Sequence, residues 1–423
     1  MLKKLQIKNF KSFKDFEIEL DKFNCVIAPN NAGKSNLIYA MNFLYYAIVN
    51  VEEAIEEFGG FNNIKNIFLE EDYIEFDLLF FKEKLKKVGF RELENKESEK
   101  YIELFKKLQI SVNIKILNNR NWEKRYKIKG RFGKKIGIET FDDVYYIESN
   151  FKGIKTYPFE IELLYSNNEE NIKCELIKVD AKNKKNLLYA LKLQDLINNH
   201  HIIFGSSQDL FNLRDYFFAY SFYPEIIKTS LKGGNQLRFD GCNLVEVLNF
   251  IKNIRPQNFE NISTSLIGIV EELNDIKIDK DLIDRNILLF EEKGKFLPFN
   301  VVSDGTINLI SILTAIYEPM LKKMICFDEI EKHLHLKAID YILEVLKSQY
   351  FQVIFTTQSS EVLNNLDLKK DNLIFLYRDY EGFTKGLNSN KIPNLQRKIK
   401  RYKDISTIIK NEVLGYLGDF NEN

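Results

Sequence analysis

The chain has 423 residues but only four cysteines, Cys25, Cys174, Cys242 and Cys326, and no two of them form a C-x-x-C pair. That scatter argues against a zinc site and a disulfide framework and fits a reducing compartment. An excess charge of one sign is also missing, with 61 Lys and Arg against 61 Asp and Glu. Net charge therefore gives no argument for nucleic acid, and any such surface has to be local. No apolar run reaches the roughly 18 residues of a membrane span. The start, Met1-Leu2-Lys3-Lys4, leads into alternating sequence rather than the apolar core of a signal peptide. A cytoplasmic protein that crosses no membrane is expected. Helix-turn-helix and zinc-finger patterns are absent, which leaves sequence-specific DNA reading without support. What is present is 45% hydrophobic and 13% aromatic residues, enough for a sizeable core in one large domain or two to three ordinary ones.

The most informative stretch is Cys25-Val26-Ile27-Ala28-Pro29-Asn30-Asn31-Ala32-Gly33-Lys34-Ser35-Asn36. A short apolar run enters a turn that ends in Gly-Lys-Ser. A helix is predicted over 37–48 from apolar residues at 37, 41, 44 and 48. This is strand, phosphate loop, helix, and it meets G-x-x-x-x-G-K-[ST] at every fixed position but the first, where Ala28 replaces glycine. Loop and helix amides from Asn30 to Asn36 would face the phosphates, because they have no intrahelical partner. Lys34 would reach the β- and γ-phosphates and Ser35 would hold Mg²⁺. If position 28 needs positive φ, Ala28 costs about 1–2 kcal/mol; at ordinary φ the cost is small.

Three further segments carry chemistry. Ser303-Asp304-Gly305 precedes a helix predicted from Ile307 to Tyr317, with Ser303 as N-cap and the helix start as an anion site. Met324-Ile325-Cys326-Phe327 reads as a buried strand with Asp328 and Glu329 at its C-terminal end, the edge where open parallel sheets bind ligands. Asp328 is placed to hold Mg²⁺ and Glu329 to polarise an attacking water. The strand Gln352 to Thr356 ends in Thr356-Thr357-Gln358-Ser359, where Gln358 can donate to a phosphate oxygen or orient a water.

Elsewhere, strands are predicted around Leu5–Ile7, Phe16–Leu20 and 73–81, then in alternating runs from Ile110 to Leu176. A charged helix is expected over 84–108, and mostly helix over 181–285, with helices at 244–254 and 266–273. The basic run 124–135 could track a nucleic-acid backbone, but a solvated hairpin face is the favoured reading. The basic tail 393–418 and the His200-His201 pair are read as solvated, the latter alternatively as structural.

As an ordered set these segments resemble the ABC-type ATPase heads of the SMC/RecF-like group. They are most similar to the stand-alone AAA-family ATP-binding proteins grouped with the OLD-type ATPases. Leu5 to Phe13 resembles that group's opening strand and adenine-side loop, and Phe239-Asp240-Gly241-Cys242-Asn243-Leu244 its Asp-Gly-x-Asn-Leu element. Asp328-Glu329-Ile330-Glu331-Lys332-His333-Leu334-His335 resembles its extended Walker B segment. The resemblance implies an α/β fold: a P-loop ABC-type head with parallel core sheet, antiparallel β lobe and helical insertion. The core would be 1–85 and 286–390, with a β/helical insertion at 86–180, a helical lobe at 181–285 and a tail at 391–423.

It further implies an Mg-dependent ATPase in which Ser303, Asp304 and Gly305 form a signature motif. That motif would meet ATP bound to a second copy, closing a homodimer on two nucleotides. Ala28 in the phosphate loop and Gln358, which stands where the group has a switch histidine and cannot become cationic, both point to slow hydrolysis. About 60 residues follow Gln358, too few for a nuclease domain, so a nuclease or toxin effector is expected as a separate chain. Two readings follow: an ATPase coupled to nucleic acid or an effector in DNA maintenance or phage defence, or an ATP-sensing scaffold with little turnover.

Overall fold

The computed structural model describes residues 1–82, 87–90, 101–136, 144–147, 156–167, 172–180, 216–230, 232–318, 322–367 and 370–392. In chain order the first elements are β1 (Leu2–Phe10), β2 (Phe13–Glu19), β3 (Phe23–Ile27), α1 (Lys34–Ala47), α2 (Val51–Glu57) and α3 (Phe61–Ile64). Strands β4 (Ile74–Lys82), β5 (Lys87–Phe90), β6 (Tyr101–Ile116), β7 (Trp122–Ile136), β8 (Val144–Ile147), β9 (Thr156–Asn167), β10 (Ile172–Asp180) and β11 (Phe217–Tyr220) follow. Next come α4 (Pro224–Thr229), α5 (Leu244–Ile254), α6 (Pro256–Ile269), β12 (Leu273–Lys280), β13 (Asn286–Glu292), β14 (Lys295–Pro298) and α7 (Asp304–Tyr317). The last are β15 (Met324–Phe327), α8 (Leu336–Ser348), β16 (Gln352–Thr357), α9 (Ser360–Asn364), β17 (Asn372–Arg378) and β18 (Thr384–Asn388). The chain divides into two compact units, 1–20 with 50–213 and 21–49 with 214–423.

The first unit is built on a seven-stranded antiparallel sheet in the order β10-β9-β7-β6-β4-β1-β2. Period-two alternation gives it one apolar face, from Leu5, Ile7, Phe76, Val112 and Ile114, all at most 1% exposed. On the other face Lys8 pairs with Glu75 at 3.0 Å, and Asn113 donates to both Glu75 and Asp77.

The second unit holds a six-stranded sheet in the order β11-β15-β16-β3-β17-β18. The first five strands run parallel and β18 returns antiparallel to β17. Every residue of β3, β15 and β16 is buried, as expected of parallel strands covered on both faces. Helix α7 is buried from Thr306 to Ile316, so it is a core helix rather than an amphipathic surface one. At its end a buried ion pair, Glu318–Lys322 at 2.7 Å, joins α7 to β11: Lys322 also donates to the Tyr220 hydroxyl at 3.1 Å. The Lys322 ammonium lies over the rings of Phe218 and Tyr220, and Glu318 accepts the Leu237 amide at 2.8 Å.

The mixed α/β class, the parallel core sheet and the antiparallel lobe agree with the sequence expectation. Four local expectations do not. The region 181–285, expected to be mostly helical, supplies β11 to the core sheet, where its long-range parallel pairing with β15 decides its state. Within 84–108, described residues form β5 and the first half of β6, not a charged helix. Register Tyr101↔Ile136 to Ile116↔Trp122 with β7 supplies long-range pairing that outweighs a weak local helical tendency. Residues 266–273 are not one helix, since α6 ends at Ile269 and Leu273 opens β12. The basic run is not uniformly solvated. Alternation along β7 exposes Arg125 and Lys129 but buries Lys124, whose ammonium desolvation pushes down to about 7. His200, His201 and 393–418 lie outside the described residues.

Lys322→Met is expected to destabilise the protein by about 3–5 kcal/mol, because it leaves the Glu318 carboxylate buried without its cation. Glu318→Gln in the same chain should recover part of the loss. Urea unfolding of the three proteins measures both effects, and coincident curves would show that the pair does not matter.

Candidate functional site

The phosphate loop leaves β3 at Ile27 and enters α1 at Lys34. Gly33 sits at φ 102 as the N-cap and, having no side chain, supplies no side-chain cap to α1. Amides at a helix start lack intrahelical acceptors, and such a start suits an anion. Asn31 adopts φ 63, a left-handed conformation that Asn tolerates better than most residues. Ala28 is not among the positive-φ residues, so its Cβ carries no such strain. Asn30, Asn31 and Ser35 are exposed, Asn36 is half-buried, and Ala32, Gly33 and Lys34 are buried. The Lys34 ammonium donates to Ala28 O at 2.9 Å and Pro29 O at 3.2 Å.

The acids arrive on the same sheet edge. β16 lies between β15 and β3, with Phe327 level with Phe355 and Phe355 level with Cys25. Two strand spacings separate β15 from β3, about 10 Å. Burial lowers the affinity of Lys34 for its proton, while Glu329, Asp328 and Glu331 act in the opposite sense, so all three lie within its electrostatic reach.

The Thr356 hydroxyl organises the acids. It donates to Asp328 Oδ1 at 2.7 Å and accepts the Glu329 amide at 2.7 Å. Ser221 Oγ stands 3.5 Å from Asp328 Oδ2, and the Asp328 amide continues the β11 pairing to Tyr220 O at 2.9 Å. Glu329 itself takes φ 45. Gln358 is held twice: its amide N–H donates to Glu331 Oε1 at 2.9 Å and its side-chain Nε2 to Glu329 Oε1 at 3.2 Å. Burial raises the Glu331 carboxyl above its ordinary value, against the bonds from Gln358 and Thr357.

Ser303, Asp304 and Gly305 gather around a different feature, the turn at Lys332–His333. A Cβ on Gly305 would lie 2.5 Å from the His333 carbonyl, so close approach of backbone requires glycine there. Asn308 donates to the Lys332 carbonyl. Ser303 caps α7 by accepting the Thr306 amide at 3.2 Å. Lys228 donates to Asp304 Oδ1 at 2.7 Å and to Val302 O at 2.6 Å, and it holds the Asp304 carboxyl below its usual range. Among the described residues no three His, Cys, Asp or Glu side chains converge as a metal cage.

A family model described as AAA domain, putative AbiEii toxin, Type IV TA system matches residues 23–364. The chain belongs to this family. No curated protein matches it. It is similar to an SMC head bound to the C-winged helix domain of ScpA, at 14% identity and TM-score 0.45, over 94% of this chain and 99% of that one. It is also similar to the SMC head domain from Thermotoga maritima, at 13% identity and TM-score 0.39, over 91% and 98%. A third is an Smc head with an extended coiled coil, bound to the C-terminal domain of ScpA derived from Pyrococcus furiosus, at 13% and 0.42, over 95% and 98%. Among the described residues no helix is long and apolar enough to cross a membrane.

In this AAA domain, sequence reasoning overlooked Thr356, Ser221, Glu331 and Lys228. Thr356 was in plain view as the strand residue before Thr357-Gln358, but its neighbours across the sheet are 28 positions earlier, and only strand order reveals them. Lys228 gave no signal at all.

Because the fold raises the proton affinity of Glu331, native protein holds more protons there than unfolded chain between the ordinary carboxylate value and the raised one. Wild-type stability should therefore fall as pH rises through that window. Glu331→Gln keeps an acceptor for the Gln358 amide and cannot ionise, so its stability relative to wild type should grow across the window and then level off. Urea midpoints at a series of pH values test this, and parallel curves would refute it.

Proposed function

We propose that the AAA domain binds ATP with Mg²⁺ at the α1 end of β3 and hydrolyses it. The observation that carries this reading is that the turn bearing Lys34 and the turn bearing Asp328 and Glu329 follow strands β3 and β15 on the same edge of one parallel sheet, the acids tied together by Thr356 of the strand between them. The residues fit the ligand: a helix start at Gly33 with no side-chain N-cap, loop carbonyls of Ala28 and Pro29 turned onto Lys34, and an exposed Ser35 hydroxyl. Ser35 and Asp328 would hold Mg²⁺, which at such sites keeps waters and substrate oxygens as its remaining ligands. Bound there, the ion neutralises charge on the phosphates.

The chain's own residues supply the rest. Lys34 leaves its carbonyls for the β- and γ-phosphates. Glu329 accepts a proton from a water that attacks the γ-phosphorus, the bond to the β-bridging oxygen breaks, and ADP and phosphate result. Gln358 positions the Glu329 carboxylate through its side-chain amide. Ser303, Asp304 and Gly305 would meet the nucleotide of a second copy, and the Lys228–Asp304 pair supports this by offsetting the carboxylate at that helix start. Such a homodimer would couple to nucleic acid or to a separate nuclease or toxin effector. The toxin–antitoxin wording of the family description favours a defence role.

A second reading, an ATP-sensing scaffold with little turnover, is favoured by the engaged state of Glu329, which already accepts from a neutral Gln358. Glu329→Gln should bind ATP like wild type and lose turnover by roughly 10²–10⁴-fold; Lys34→Ala should lose binding. Equal turnover of Glu329→Gln and wild type would remove Glu329 from the mechanism. Sizing with ATP and with ADP, read beside phosphate release, separates the two readings: ATP-dependent dimer with release indicates the ATPase, and assembly without release the scaffold.

A further inference from the structure

Three loop carbonyls are engaged by cationic side chains, and only two of them by Lys34. The third, Asn31 O, accepts from Arg378 Nε at 2.8 Å. Arg378 comes from the end of β17. That strand pairs with β3 from Asn372↔Asn24 to Phe375↔Ile27 and then overruns it by three residues, so its last side chain stands beside the loop. A second bond, Nη1 to Gly382 O at 2.7 Å, ties the guanidinium to the turn between β17 and β18. The planar fork thus bridges the β17–β18 hairpin and the one loop residue with a side chain at positive φ.

We infer that Arg378 is a positioning residue for nucleotide binding. It holds the Asn31 carbonyl outward and so keeps the loop wrapped for the triphosphate, an assignment that rests on the ATP reading above. Without the brace, the left-handed conformation of Asn31 lacks its compensating bond. The carbonyl is then free to rotate towards the phosphates, where its partial negative charge repels them. Arg378 acts on the loop and not on the γ-phosphate, so affinity and KM should carry the effect while kcat does not.

The experiment compares Arg378→Gln, Arg378→Lys, Asn31→Gly and Asn31→Gly/Arg378→Gln in the full chain. In nucleotide-free protein, hydrogen exchange of the loop amides over 30–34 should be faster in Arg378→Gln. With MgATP, its Kd and KM should rise about tenfold, the scale of one charge-assisted hydrogen bond, with kcat held. Arg378→Lys keeps the charge and loses the fork, so it should resemble Arg378→Gln. In the Asn31→Gly background the loss should shrink, because glycine takes positive φ unaided. Unchanged exchange and affinity in Arg378→Gln would overturn the inference. So would a wild-type-like Arg378→Lys, which would mean that charge alone matters, or an equal loss in both backgrounds. If wild type binds no nucleotide, the ATP reading and the binding role fall together, and the exchange result still decides whether Arg378 braces the loop.

Discussion

A single hydroxyl, that of Thr356, bonds to Asp328 on one side and to the Glu329 amide on the other. Its position follows from strand order. β16 sits between the strand that carries the acids and the strand that carries the phosphate loop, and all three end on one edge. Because the strands are parallel, their C-terminal turns open in the same direction, and helices cover both faces of apolar strands. A polar residue is tolerated at 0% exposure there only because both bonding directions of the hydroxyl are used. The rest of the candidate site is arranged around that tie: Glu329 at φ 45, Gln358 held by Glu329 and Glu331, and Ser221 near the far oxygen of Asp328.

Charge is arranged in the same economical way. Lys34 is drawn to low proton affinity by burial and back by three carboxylates, and it rests on backbone oxygens of its own loop. Arg378 takes a further carbonyl from outside. The loop therefore turns its carbonyls onto cations, beside a helix start that has no side-chain N-cap. At the Ser303–Gly305 segment the same device recurs, with Lys228 bonded to both Asp304 and the Val302 carbonyl. Beside Lys228 the Asp304 carboxylate at this helix start is offset by a cation.

Much of the parallel sheet was legible because its strands are short apolar runs bounded by turn chemistry, as at 324–327 and 352–357. The phosphate loop was legible for a stricter reason: glycine and lysine are required at fixed spacing by backbone geometry and charge. Ala28 looked like the defect in the loop, yet the conformational demand falls on Asn31. The stretch 84–108 misled because charged residues at mixed spacing resemble a helix until a partner strand is present, and β7 is that partner for β6. Lys124 misled because a basic run reads as solvated, whereas strand alternation sends every second side chain inward.

Sequence by itself determined the kinds of element and the chemistry available at their ends: a phosphate loop on a strand–helix junction, acids after an apolar strand, a capped helix at Ser303. Those properties are local, set by spacing, turn residues and side-chain type. Tertiary structure alone decided which ends meet. It set β16 between β15 and β3, gave Thr356 its two acids, brought Glu331 to the Gln358 amide and carried Arg378 to Asn31. These contacts join residues from 27 to 347 positions apart, and only the hydrogen-bonded order of a folded sheet brings such distant residues within bonding distance.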